Sequence, residues 1–175
     1  MANNTDKQLI ELIENFFLKA TLLICHSKSQ SDSVSSDSLP KNRWFNINTL
    51  QDPVLEAEIK EWTMYDGKKT LPPLVIETYL DLRKLTSTQS ITLKDQEGNP
   101  WNVCKGTRKS EIVLERWLVE LDKPLIQSNF DEDVSDIYKQ LILLFRYLYT
   151  LIQLLPASDL QMRLSKTKGP QDSSP

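Results

Sequence analysis

The sequence predicts an α+β domain. Apolar residues recur at helical spacing near both the start and the end of the chain, and three β-rich segments lie between those stretches. A third observation is the mix of 39% hydrophobic and 26% charged residues over 175 positions, which suits one domain with polar tails.

The first helix is predicted from Asn3, Asn4, Thr5 and Asp6, which offer N-caps, and from Leu9, Leu12, Ile13, Phe16, Ala20, Leu23 and Ile24, which form a wide apolar stripe. Ile10 and Phe17 add a second apolar edge, so the helix is expected to touch more than one element. From Ser27 to Ser38 the chain turns to Ser, Asp, Lys and Gln. Such a stretch buries too little apolar surface to repay its ordering entropy and reads as a flexible loop, its seven serines open to phosphorylation.

Pro53 opens a short second helix carrying Leu55, Ile59 and Trp62, with Glu56, Glu58 and Glu61 on its wetter sides. Tyr65-Asp66-Gly67-Lys68 reads as a turn. It is not a phosphate loop, because Trp62 stands where that motif needs glycine and Lys69 where it needs Ser or Thr. Leu74 to Leu82 reads as a strand. Ile91-Thr92-Leu93 and Trp101-Asn102-Val103 read as a hairpin closed over residues 95–100, and Ile112 to Leu121 as the longest strand. Trp44, Phe45, Trp62 and Trp101 are expected to anchor the core.

Asp131, Asp133 and Ser135 offer caps for a final long helix. Its main stripe is Ile137, Leu141, Leu144, Phe145, Leu148, Ile152 and Leu155, widened by Leu143, Tyr147 and Leu151. A helix apolar nearly all round is expected to be central, with neighbours on several sides. Pro156 ends it, and the domain is placed over residues 1–160 with a disordered tail over 161–175.

Composition narrows the function. A net charge of -3 with mixed signs lacks the basic stripe of a nucleic-acid binder. Two cysteines make no disulfide framework, and the first residues lack a secretory signal. The apolar run Leu141 to Leu155 carries Arg146 at its centre and falls short of the about 20 residues of a transmembrane span. The chain reads as cytoplasmic, with no transmembrane segment and no cofactor. Cys25 and the single histidine, His26, are adjacent and so point about 100° apart on a helix, a poor nucleophile-base pair. With Cys104 they cannot supply the four clustered ligands zinc normally takes.

Arg116 is the sharpest residue. In a strand it shares a face with Ile112, Leu114 and Leu118, where an unpaired charge is costly, and its planar fork suits a carboxylate or a phosphate. Lys105, Arg108 and Lys109 cluster in the connection before that strand, as either a solvated turn or a basic docking site for a partner.

The strands, the helix from Gln140 to Pro156 and the opening Ile13-Glu14-Asn15-Phe16-Phe17-Leu18-Lys19 together resemble one family. It is the amino-terminal HORMA domain of autophagy-related protein thirteen, of fungal type, and the resemblance covers about residues 6 to 160. It implies helices packed on one side of a mainly antiparallel sheet. It also implies a non-catalytic adaptor and regulatory subunit of the autophagy-initiating serine/threonine kinase complex, acting at the phagophore assembly site. Implied partners are the autophagy-specific lipid-kinase complex and the vesicle-borne autophagy membrane protein. The initiating protein kinase and the larger scaffold bind the family's chain further along. For Arg116 the resemblance implies part of a phosphate-sensing pocket. In the family the domain continues with more strands, so the chain is expected to be truncated on its C-terminal side and to expose apolar surface. The other reading is a HORMA-like module outside autophagy that binds a peptide by strand addition.

Overall fold

The computed structural model describes residues 4–28, 41–83, 90–102, 111–125 and 133–166. They form two compact units, one of the residues up to Ile76 and from Trp117 onward, the other of Glu77–Arg116.

The first unit is built on α1 (Asn4–His26). Next comes a small antiparallel hairpin, β1 (Lys41–Asn42) with β2 (Thr49–Leu50), in the register Lys41↔Leu50 and Asn42↔Thr49. Its crest is a single 3-10 turn, η1 (Trp44–Asn46). Helix α2 (Pro53–Glu58) starts where the Asp52 carboxylate accepts from the amides of Val54 and Leu55, with Pro53 in the first turn, where its missing N–H costs nothing. Ile59 leaves helical geometry, so the short helix expected from Pro53 onward is two pieces, α2 and α3 (Lys60–Thr63).

Strands β3 (Leu74–Asp81) and β6 (Glu111–Val119) pair with each other. Helix α4 (Val134–Leu154) is capped by the Asp133 side chain and followed by α5 (Pro156–Lys166). Pro156 explains the break. It pushes Leu155 into extended geometry, ψ 147°, and its fixed φ then suits the opening of a new helix. Residues 161–166, expected in a tail, are therefore helical.

Two apolar clusters form the core. The first gathers Leu9, Phe17, Ile59, Tyr65, Leu71, Leu74 and Leu125; the second gathers Leu12, Ala20, Leu23, Ile24, Phe45, Phe145 and Ile152. Helix α1 supplies both, as its two apolar edges require. The Phe45 and Phe145 rings stack at 4.5 Å and 21°, the closest aromatic contact in the second cluster.

The expected envelopment of α4 needs correction. Only Phe145 and Ile152 on it are buried, while Leu143 is 65% exposed, Tyr147 67% and Leu154 77%. Neighbours α1, η1 and α5 cover one side of the helix. Apolar composition around a helix shows that its faces could be buried, not that each has a neighbour.

In the second unit, β4 (Thr92–Lys94) and β5 (Pro100–Asn102) pair antiparallel with Leu93 opposite Trp101. The Asp95 carboxylate organises the turn, accepting from the indole N–H of Trp101 at 3.0 Å and from the amides of Glu97 and Asn99. These bonds, the Trp101 one foremost, lower the Asp95 pKa. Trp101 is 64% exposed, so this tryptophan serves the turn and does not anchor a core.

Candidate functional site

Arg116 and Glu77 lie on neighbouring strands, β6 and β3, and the guanidinium Nε donates to the carboxylate at 2.6 Å. Their side chains are 66% and 37% exposed. The sequence groups Arg116 correctly with Leu114 and Leu118, but that face is the wet one, Leu118 being 59% exposed, whereas Trp117 and Val119 pack against the core. Both faces of β6 are apolar in composition, so alternation alone could not say which one meets the helices. Glu77 is the only partner of Arg116 among the described residues, and the bond uses Nε. The two terminal nitrogens remain available for a second anion.

Lys105, Arg108, Lys109 and Cys104 lie outside the described residues, as do the serines of 29–38. Burial pushes the Cys25 thiol up, and the carboxylates of Asp52 and Glu58 push it further, which makes a weak nucleophile. Neighbouring His26 faces Asp52, Nε2 to Oδ2 3.7 Å. Among the described residues no three His, Cys, Asp or Glu side chains gather as metal ligands.

The sequence reading missed the surroundings of Lys19. Its Nζ is fully buried and donates to the carbonyls of Asn42 (3.0 Å) and Ile47 (2.7 Å) and to the Thr49 hydroxyl (3.0 Å). Burial lowers its pKa to about 8. The available signal was position: Lys19 continues the helical row Leu12, Phe16, Leu23, so an amine had to be satisfied inside an apolar stripe.

The loop that Lys19 holds runs between two polar grooves. One, about 420 Å³, is lined by Asn46, Ile47, Asn48, Arg146, Tyr149 and Thr150. The other, about 560 Å³, includes Lys41, Arg43, Trp44, Gln51 and Tyr138. A third, apolar cavity of about 290 Å³ opens between α1 and α4 at Leu9, Phe16, Leu125, Ile137 and Leu144.

The helices and short paired strands make a mixed α/β domain, and a structural match assigns it to the HORMA type. The structure matches the solved "Atg13 HORMA domain" with a TM-score of 0.65 and 51% identity, covering 95% of this chain and 67% of that one. The family model described as Autophagy-related protein 13 matches residues 13–174. Similar relatives are Autophagy-related protein 13 of Kluyveromyces lactis, 54% identical over 93% of this chain, and that of Saccharomyces cerevisiae, 51% identical over 95%. The chain belongs to the autophagy-related protein 13 family. It spans 24% of the length of each of those two relatives. No single helix among the described residues is long and apolar enough to cross a membrane.

Proposed function

We propose that this chain is the HORMA portion of a non-catalytic adaptor, a regulatory subunit of the autophagy-initiating serine/threonine kinase complex needed for autophagosome formation. It acts in the cytoplasm at the phagophore assembly site, where it recruits the autophagy-specific lipid-kinase complex and the vesicle-borne autophagy membrane protein. The initiating kinase and its scaffold are partners of the longer family protein. The observation that carries this reading is family membership, with 51% identity to the Atg13 HORMA domain over 95% of the chain.

Within this reading Arg116 senses an anion. Glu77 occupies Nε and holds the guanidinium in place, while the terminal nitrogens meet a phosphate on a partner. Lys105, Arg108 and Lys109 are docking cations on the same adaptor.

The test is a pull-down with the chain from nutrient-starved and fed cytosol, identified by mass spectrometry. Subunits of the lipid-kinase complex or the vesicle-borne protein should be enriched, and Arg116→Leu should reduce the share that depends on phosphorylation. Recovery of neither under either condition would overturn the adaptor role.

A further inference from the structure

The β1–η1–β2 loop is an unusual piece of backbone. Phe45 and Asn46, neither of them glycine, follow each other at φ 57° and 56°. Asparagine tolerates positive φ, but a bulky phenylalanine rarely adopts it, and Phe45 persists there only where the surroundings fix it. Here they do. The Phe45 ring stacks on Phe145, its amide donates to the Tyr138 hydroxyl at 3.2 Å, and Lys19 ties down the carbonyls of Asn42 and Ile47. Backbone held this rigidly in a disfavoured conformation is the usual setting of a ligand clamp, because little ordering remains to be done on binding.

The chemistry on either side of the crest is one-signed. Arg146 stands in one groove, Lys41 and Arg43 in the other, and no carboxylate lines either. Arg83, Arg116 and Arg163 each pair with an acid, whereas Arg43 and Arg146 have no partner among the described residues. The side-chain amides of Asn46 and Asn48 are likewise uncommitted among the described residues and supply neutral donors beside Arg146. In a chain of net charge -3 this local excess of cations is a departure from the whole.

We propose that the two grooves astride this loop take an acidic peptide segment of a partner protein, its oxyanions held by Arg43 and Arg146 and its backbone met by the Asn46 and Asn48 amides. Two guanidiniums, interleaved with Asn, Trp44 and Tyr149, suit a short anionic peptide. They are too few and too dispersed for an anionic membrane, which recruits clusters of about 4–8 basic residues, or for a nucleic-acid backbone. The proposal uses no residue of the Arg116 pair and does not depend on the adaptor role.

Fluorescence anisotropy of the whole chain with three labelled Gly-Ser peptides tests it, one carrying glutamates, one phosphoserines and one lysines. The acidic peptides should bind saturably, more weakly as salt rises, while the lysine peptide should not bind. A phosphoserine preference of about tenfold or more assigns the site to phosphate, and parity with glutamate to carboxylates. The double variant Arg43→Gln/Arg146→Gln should weaken acidic-peptide binding about tenfold or more, with the thermal melt unchanged because both side chains are exposed. Arg83→Gln, which removes an exposed and already paired arginine, should leave binding intact. Unaltered affinity in the double variant, no saturable binding of either acidic peptide, or binding to phosphatidylserine vesicles alone would overturn the proposal.

Discussion

The Lys19 ammonium donates a 2.7 Å hydrogen bond to the carbonyl of Ile47, 28 residues further along the chain. With Asn42 and Thr49 it finds three acceptors for three donors, all neutral. Lys19→Met keeps the aliphatic stem and removes the donors, leaving the buried Asn42 carbonyl and Thr49 hydroxyl and the part-buried Ile47 carbonyl without them. The expected loss is about 3 kcal/mol, read from urea unfolding. A loss under about 0.5 kcal/mol, the range of ordinary surface changes, would mean that the loop does not rest on this amine.

The same residue sets a pH dependence. Its folded pKa, about 8, lies below the ordinary 10.5 because burial disfavours the charge. Between those values the unfolded chain holds a proton that the folded chain has released. The Lys19 contribution to stability is therefore flat below about pH 8 and rises as pH climbs to about 10.5. The stability of the native chain minus that of Lys19→Met isolates this contribution. The difference should grow across the window, and a difference that shrank would reverse the assigned shift.

Helix α4 offers a paired comparison. Phe145, fully buried against Phe45, should cost about 3–5 kcal/mol as Phe145→Ala. Leu143→Ser, at a 65% exposed site, should change stability by less than about 0.5 kcal/mol. Leu144→Asp, fatal to an enveloped helix, should leave a cooperative thermal melt, because at 47% exposure the carboxylate reaches water. Loss of that melt would restore Leu144 to the interior.

Arg116→Leu should cost only about 0–1 kcal/mol, the range of exposed ion pairs. Chemical unfolding checks this; a loss of about 3–5 kcal/mol would instead indicate a desolvated pair.

Gly67 and Gly98 both sit at positive φ, +78° and +87°. Gly67→Ala should cost about 1–2 kcal/mol for the backbone alone. Its new methyl would also meet the Ile10 side chain at 3.1 Å, whereas at Gly98 nothing lies within 4 Å. Gly67→Ala should therefore be the more destabilising of the two in thermal melts, and equal losses would show that Ile10 gives way freely.

Much of this architecture is legible in the residues. Helical spacing at Leu9 to Ile24 and at Ile137 to Ile152 marks α1 and α4, Pro53 marks α2, and the expected hairpin is present, its register setting Leu93 opposite Trp101. Periodicity could not tell which apolar faces find a partner, so Leu143, Tyr147 and Trp101 read as core and are exposed. The strands β1 and β2, two residues each, are too short to show a pattern. Their placement is set by a lysine on another element, a long-range bond with no local signature. Alternation put Arg116 on a face with Leu114 and Leu118; that this face is wet, so that its charge could stand without a partner, was not legible.

Helix α1 lies in both apolar clusters, and its partners in the second include Phe145 and Ile152, which leave the ribosome long after it does. At about 5–20 residues per second the gap is on the order of ten seconds. Through that interval Leu12, Ala20, Leu23 and Ile24 lack Phe145 and Ile152 to close over them, leaving the nascent helix a natural substrate for a holding chaperone.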